Sequence, residues 1–144
     1  MIQLEEPLKE VQEKQAVECP LGRIEINEED VLLFPDGLYG YEQYHQYLIW
    51  KSVKYLPFQW LICIENPKLM FPVINPNIVC PEYDPKVRDG EGDSMLAIVT
   101  MGASMESVTA NLRAPILISR DNHQGKQVIL TDSHYPLRYK VLHA

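Results

Sequence analysis

The chain has 144 residues, of which 46% are hydrophobic and 23% charged, and its formal net charge is −7 at pH 7. This length and composition are typical of one globular domain and exclude a disordered chain. The 13 Lys and Arg residues do not cluster and are outnumbered by 20 Asp and Glu residues, so direct binding to DNA or RNA is not expected. No apolar run approaches the roughly 20 residues of a membrane-spanning helix, so no membrane partner is expected either.

Residues 1–16 are predicted to be an N-terminal extension ahead of a folded domain at residues 17–144. Leu4, Leu8 and Val11 follow helical spacing. Isolated helices of this length are marginal in water, and chain termini are often poorly ordered. The segment is therefore either a flexible, weakly helical extension, which its terminal position favours, or a helix docked on the body or on a partner.

The three cysteines, Cys19, Cys63 and Cys80, are odd in number and widely spaced. This pattern argues against a disulfide framework and is typical of proteins in the reducing cytosol. The acidic N-terminus lacks the apolar core of a secretory signal, which also favours the cytoplasm. All three cysteines are expected to be small buried or edge residues. No Cys or His spacing matches a zinc site, so no metal is expected.

From residue 16 onward, hydrophobic patterning predicts strands. Ile24 and Ile26, for example, alternate with Arg23 and Glu25, which is typical of a half-buried strand. The predicted strands span residues 17–19, 22–27, 31–34, 47–50, 58–64, 70–74, 95–101, 108–118 with a break at Pro115, and 126–131, with a short last strand in the tail after residue 134.

Turns that contain proline or glycine separate the predicted strands. The P-D-G sequence at 35–37 is a turn signature, because proline fixes φ and glycine accepts a positive φ. Asn66 and Asn75 each precede a proline, which favours extended geometry and ends a strand. Residues 40–44 are predicted to form one helical turn, and residues 121–125 a hairpin loop.

Roughly eight or nine short strands without a long helix predict an all-β, single-domain antiparallel fold with at most short helical turns. Such a sheet either stacks as a sandwich or closes as a barrel, since closure removes exposed edges, and strand spacing alone does not decide between the two. Phe58, Trp60 and Phe71 lie in predicted strands and are expected to hold the core.

Four segments occur in a specific order along the chain. They are F-P-D-G-L-Y-G-Y-E at 34–42, the stretch from P-F-Q-W-L to F-P-V-I-N-P at 57–76, L-A-I-V-T followed by V-T-A-N-L-R-A-P-I-L-I at 96–118, and G-K-Q-V-I-L at 125–130. Together they resemble the flagellar assembly factor FliW family. The resemblance covers about residues 17–142 and implies a β-barrel-like fold.

The resemblance also implies a function. FliW-like proteins are cytoplasmic bacterial regulators that bind flagellin and the RNA-binding carbon-storage regulator CsrA, which they stop from repressing flagellin translation. They are not enzymes and use no cofactor. This chain departs from the family pattern in its longer N-terminal extension, residues 1–16, and in the short, glycine-bearing acidic loop after Tyr83.

Three groups of residues are candidates for contacts with a protein partner. The acids after Cys80 form either a docking patch for a basic segment or a solvated loop. A cluster of tyrosines either forms an interface or packs within the fold. Two asparagines either expose their amides or cap a turn. The candidates are Glu82, Asp84, Asp89, Glu91 and Asp93; Tyr39 and Tyr41, with Tyr44 and Tyr47 nearby; and Asn75 and Asn77.

The alternative from another functional class is a barrel that binds a small ligand or acts as an enzyme. Its chemistry would pair Cys80 as a thiolate with His123 or His134 as the base. Neither histidine stands at a diagnostic spacing from the cysteine, so the sequence favours the protein-binding regulator.

Overall fold

A computed structural model describes residues 15–87, 93–131 and 133–142. The predictions about residues 1–14, Asp89 and Glu91 lie outside this described part of the chain. The strands are β1 Ala16–Cys19, β2 Gly22–Glu25, β3 Leu32–Leu33, β4 Gln46–Trp50, β5 Gln59–Cys63, β6 Met70–Ile74, β7 Ser94–Thr100, β8 Thr109–Ala110, β9 Ile116–Ser119, β10 Gln124–Gln127 and β11 Tyr139–Lys140. The helical pieces are α1 Pro76–Val79 and the 3-10 turns Glu28–Asp30, Val53–Tyr55 and Met105–Ser107. No helix within the described ranges is long and apolar enough to cross a membrane.

Seven of the strands close into a barrel, in the order β7, β6, β5, β4, β3, β10, β9 and back to β7. Neighbouring strands are antiparallel except at the single parallel pairing of Gln124 with Leu33. Strand β7 closes the ring because its first half pairs with β9, while its second half pairs with β8 on the same edge. The predicted all-β, antiparallel barrel-like fold with short helical turns is confirmed.

The barrel interior is filled by alternate side chains of its strands. Phe34 and Tyr47 are the large interior rings; both are wholly buried, with ring centroids 4.9 Å apart in an edge-to-face arrangement. A Cβ atom on Gly125 would lie 2.3 Å from Cζ of Phe34, so the ring packs directly on the glycine backbone of β10. The interior cluster is completed by Leu32, Leu38, Leu61, Cys63, Val73, Leu96, Ile116 and Ile118.

Two further apolar layers cover the outside of the barrel. The β1–β2 hairpin places Val17 and Ile24 on the outward-facing side chains Leu48 and Ile62 of β4 and β5. A second layer over β6, β7 and β9 is built by α1, the segment at 80–87, β8 and β11. The barrel therefore has one interior core and two outer ones, and burial of apolar side chains on both faces of its strands stabilises it.

The structure corrects two local predictions. Residues 40–44 form turns instead of a helical turn, because Leu38 bridges Tyr41 and the adjacent Gly40 has a φ of 89°. The hairpin loop predicted at 121–125 is shorter than expected, since Gln124 and Gly125 already belong to β10.

The structure also places the predicted core aromatics differently. Phe58, Trp60 and Phe71 are only partly buried, and Phe58 and Trp60 pack in the two outer layers. Phe71 packs against the interior cluster from its margin. The wholly buried rings are Phe34 and Tyr47, because the alternation of β4 and the turn after β3 aim them into the barrel.

Candidate functional site

One end of the barrel is sealed by the segment at 34–45, here called the plug. Its Leu38 is 1% exposed, and Tyr41 packs edge-on against Phe71 with ring centroids 5.4 Å apart. Gly37 has a φ of 67°, and a Cβ atom there would lie 2.7 Å from Cα of Glu42. The glycine is therefore required both for the backbone conformation and for the close return of the chain.

Of the tyrosine cluster predicted in the plug and at the start of β4, Tyr39 faces solvent and the others pack. Tyr39 is 55% exposed, and its backbone N–H donates to Oε1 of Gln127 at 3.0 Å. Tyr41 and Tyr44 are half-buried, and Tyr44 Oη accepts a hydrogen bond from Asn66 Nδ2 at 3.2 Å. Tyr47 is wholly buried, and burial is the main cause that raises the pKa of its phenol above the usual range.

The opposite end of the barrel opens as a cavity of about 650 Å³, here called the open mouth. Its floor is formed by leucine and isoleucine side chains of β3, β4, β7 and β9. Three acids, Glu29, Asp30 and Asp93, share its rim with Lys51 and Arg120. The open mouth is thus an apolar pit with a charged, mainly acidic border.

A second cavity of about 490 Å³ shares Asp93 with the open mouth. Its lining adds two more carboxylates, Asp36 and Asp121, and the ammonium group of Lys126. The acids of the second cavity therefore lie next to the rim of the open mouth, and the plug contributes Asp36 to them.

The predicted acidic patch is divided by the fold. Asp93 lies half-buried on the rim of the open mouth. Glu82 and Asp84 are exposed on the 80–87 segment, where Glu82 Oε1 accepts from Cys80 Sγ at 3.3 Å and the Asp84 N–H donates to Tyr135 Oη at 3.4 Å. Asp89 and Glu91 lie outside the described residues.

The 3-10 turn Glu28–Asp30 contributes acids to the open mouth that sequence reasoning did not select. All three of its residues are exposed and acidic. Three consecutive acids directly after a strand were the signal that could have identified them. Glu29 and Asp30 line the rim itself, and their position there depends on how β2 connects to β3, which the barrel decides.

The two predicted asparagines organise the turn at the end of β6. Asn75 Oδ1 accepts from the N–H of Asn77 at 3.0 Å, which caps the N-terminus of α1. Asn77 Nδ2 donates to the carbonyl oxygens of Tyr83 at 2.8 Å and Pro81 at 3.3 Å. The Asn77 amide thus holds the 80–83 segment in place, and the exposed Asn75 lines the open mouth.

The alternative with Cys80 as a nucleophile finds no support in its surroundings. Cys80 is 4% exposed, and burial, followed by its hydrogen bond to Glu82, raises the pKa of the thiol. A thiolate nucleophile needs the opposite shift. His134 stacks on Tyr135, and His123 lies in the β9–β10 turn. Across the described residues, no three His, Cys, Asp or Glu side chains are grouped to hold a metal ion.

Comparison with known proteins agrees with the fold. The family model described as FliW protein matches residues 16–141. The chain is 37% identical over 133 residues to the flagellar assembly factor FliW of Caldanaerobacter subterraneus subsp. tengcongensis, covering 84% of this chain and 88% of that relative. It is 34% identical over 132 residues to the protein of the same name from Alkaliphilus metalliredigens, covering 84% of this chain and 82% of the relative.

A solved structure is similar as well. The crystal structure of the flagellar assembly factor FliW superimposes with a TM-score of 0.82 at 30% identity, covering 92% of this chain and 99% of that chain. The match of the family model to most of the chain, the similar curated relatives and the shared barrel all agree. The chain belongs to the FliW family of flagellar assembly factors.

Proposed function

We propose that this protein is a cytoplasmic regulator of flagellum assembly that binds flagellin and CsrA, and that by binding CsrA it relieves repression of flagellin translation. The observation that carries the proposal is family membership over residues 16–141. The relatives are named as flagellar assembly factors, so a role in flagellum assembly is what their names have in common. Flagellin and CsrA are the finer part of the proposal, which the experiments below test.

Charge supports a basic partner. The chain has a net charge of −7, and the acids of the open mouth form a concave border. A protein that binds RNA presents Lys and Arg to phosphates, so its binding face complements such a border. Complementary potentials mainly accelerate association and set the orientation of the complex. We therefore assign the CsrA contact to the open mouth.

The plug supports a separate contact for flagellin. Tyr39 presents an exposed ring on a backbone held by Gly37 and by the bond to Gln127. A rigid, exposed tyrosine brings apolar area with a polar tip, which suits a protein interface. We place the flagellin contact here, at the end of the barrel opposite the open mouth.

Titration calorimetry of the purified chain at low salt tests the partners directly. We expect heat of binding with purified CsrA and with monomeric flagellin in separate titrations. Absence of binding to both proteins would contradict the proposed function. Binding of CsrA in the presence of saturating flagellin then reports whether the two partners exclude each other.

A charge-reversal variant tests the open mouth. Glu28→Lys, Glu29→Lys and Asp30→Lys together should slow association with CsrA by at least about tenfold at low salt, because steering accounts for factors of that size. The effect should shrink as salt rises and the Debye length falls to about 10 Å at 0.1 M. A stopped-flow association rate that does not change would overturn the assignment of CsrA to the open mouth.

The matched control reverses three exposed acids elsewhere on the chain, Glu18, Glu25 and Glu106. Both triple variants change the net charge by the same amount. A slower rate in the first variant alone identifies a local contact, whereas an equal slowing in both would show that only the overall charge matters.

A further inference from the structure

The connection between β4 and β5 carries two exposed apolar side chains beside two lysines. Val53 is 87% exposed and Leu56 is 57% exposed. Lys51 and Lys54 are exposed as well, and no acidic residue occurs at positions 43–64. These four residues, here called the hairpin-tip surface, combine an apolar centre with a basic border on a chain whose net charge is −7.

The connection is braced by hydrogen bonds and by aromatic rings. Ser52 Oγ accepts the N–H of Lys54 at 3.3 Å, and the Ser52 carbonyl oxygen accepts the N–H of Tyr55 at 3.0 Å. The Tyr55 ring contacts the rings of Trp50 and Trp60, with centroids 6.2 Å and 5.8 Å away. An apolar surface on such a support loses little conformational freedom when a partner covers it, which favours binding.

The hairpin-tip surface lies at the same end of the barrel as the open mouth. Strand β4 begins next to the plug and ends at Trp50, so its connection to β5 lies at the opposite end of the barrel. Ile49, Lys51 and Gln59 come from the two sides of this connection, and all three line the open mouth. A partner that sits on the open mouth is therefore next to the hairpin-tip surface.

The charged rim by itself would hold a partner only weakly. Exposed ion pairs contribute little in water, and complementary charge acts mainly on the rate of association. The apolar floor of the open mouth is recessed, since Leu32, Leu96 and Ile118 are at most 7% exposed. The lifetime of a protein complex depends on a few well-packed anchor residues that lose their water on binding. Val53 and Leu56 are exposed enough to be such anchors.

We propose that Val53 and Leu56 are the apolar anchor of the contact with the basic partner of the open mouth. Because Lys51 and Lys54 flank the anchor, the matching surface of the partner is an apolar patch with a carboxylate border, next to its basic face. The rim acids then set the rate of association, and the hairpin-tip surface sets the rate of dissociation. This inference rests on the proposed CsrA contact and adds the surface on which the lifetime of that complex depends.

Binding kinetics with purified CsrA test the anchor. In the variant Val53→Ser with Leu56→Ser, CsrA should dissociate about tenfold faster. Its association rate should stay within about twofold of that of the parent chain, because the charge does not change. The matched control is Met105→Ser with Leu137→Ser, which replaces side chains that are 57% and 55% exposed elsewhere on the chain. It should leave both rates unchanged, and an equal acceleration of dissociation in both variants would overturn the proposal.

The outcomes separate this inference from the proposed function. If CsrA binds the parent chain but leaves the Val53→Ser, Leu56→Ser variant no faster, the anchor is wrong and the proposed function stands. If CsrA does not bind the parent chain, both are wrong. Faster dissociation of flagellin alone would assign the surface to the other contact and overturn the inference. A parent chain that dimerises in sedimentation, with this variant monomeric, would show that a second copy covers the surface, which also overturns it.

Lys54→Glu tests the chemistry assigned to the patch of the partner. Lys54 Nζ lies 5.4 Å from the centre of the Tyr55 ring, so its charge is at the border of the apolar anchor. Faster dissociation of CsrA from this variant would support a carboxylate opposite the lysine. Slower dissociation would show that the basic face of CsrA continues over the hairpin tip, which would overturn the assigned chemistry.

Discussion

The two ends of the barrel differ in what their residues do. The plug at 34–45 contains the F-P-D-G-L-Y-G-Y-E motif, and its side chains Phe34, Leu38, Tyr41 and Tyr44 pack in or against the interior cluster. The open mouth takes Gln59, Asn75, Leu96 and Ile118 from two other segments of the resemblance, and exposed or half-buried charged groups surround it. Segments of one family resemblance can therefore seal one end of the barrel and line an open cavity at the other.

Gly125→Ala should cause the largest loss of stability among the variants that test the packing of the plug. Its new Cβ would enter the space of the wholly buried Phe34 ring, and overpacking of this kind should lower the free energy of unfolding by about 3 kcal/mol. Urea denaturation measures the loss. Adding Phe34→Leu should restore part of the lost stability, because the smaller side chain makes room for the new Cβ. If the double variant is no more stable than Gly125→Ala alone, the contact between residue 125 and the Phe34 ring is not the cause of the loss.

Two glycines of the plug should respond differently to the same substitution. Both have positive φ, so Gly37→Ala and Gly40→Ala should each cost about 1–2 kcal/mol for the conformation alone. Only at Gly37 does the Cβ also meet backbone, at 2.7 Å, whereas at Gly40 nothing lies within 4 Å. Gly37→Ala should therefore be clearly less stable in urea than Gly40→Ala. Equal losses would mean that the close return of the plug is not a constraint.

Two buried tyrosines differ in whether their hydroxyl group makes a hydrogen bond within the described residues. Tyr83 Oη donates to the carbonyl oxygen of Leu112 at 2.6 Å, so Tyr83→Phe should cost about 1–2 kcal/mol by leaving a buried acceptor unpaired. Tyr47 Oη has no hydrogen-bond partner among the described residues, so Tyr47→Phe should change stability by less than about 0.5 kcal/mol. Thermal unfolding of both variants measures these losses. A larger loss in Tyr47→Phe than in Tyr83→Phe would contradict the prediction.

The same tyrosines predict a loss of stability in alkaline solution. Burial is the main cause that raises the pKa of both Tyr47 and Tyr83 in the folded state, while an unfolded tyrosine titrates near about 10. Below that pH both states keep the proton and stability is complete. As pH rises above it, the unfolded state loses protons first and stability falls. Tyr47→Phe should reduce this fall when urea midpoints are measured over a series of pH values. If the midpoint falls with pH as steeply as in the parent chain, Tyr47 does not contribute to the alkaline loss of stability.

The open mouth should give the smallest change in stability. Reversing the charges of Glu28, Glu29 and Asp30 should alter the free energy of unfolding by within about 0.5 kcal/mol, since all three are exposed. Urea denaturation of the variant already designed for CsrA binding measures this. A loss comparable to that of Gly37→Ala would mean that the turn is structural, and the contrast between the two ends would fail.

Much of the local structure could be predicted because it depends on near neighbours. Alternating apolar residues place β2, β4 and β5 close to the observed bounds, and the proline after Asn75 ends β6 where expected. The turns at 40–44 were missed because the helical reading took no account of the bridge between Leu38 and Tyr41. That bridge depends on how the plug returns over the barrel.

The candidate site was predicted only in part. Asp93 was selected for its place in an acidic loop, and the structure puts it on the rim of the open mouth. The acids at 28–30 were not selected from the sequence, and most of the tyrosines predicted as a cluster are packed. Whether an acid or a tyrosine faces a cavity, solvent or the core depends on strands distant in sequence.

By itself the sequence determined the all-β class, most strand positions, the turns at proline and glycine, and the resemblance to the FliW family. These follow from local backbone restrictions and from side-chain alternation, which act between residues close along the chain. Strand spacing left a sandwich and a barrel open and the resemblance implied a barrel, but only the tertiary structure shows how the sheet closes, through the divided pairing of β7. It alone also decided which end is sealed, because closure and burial arise from contacts between residues far apart in the sequence.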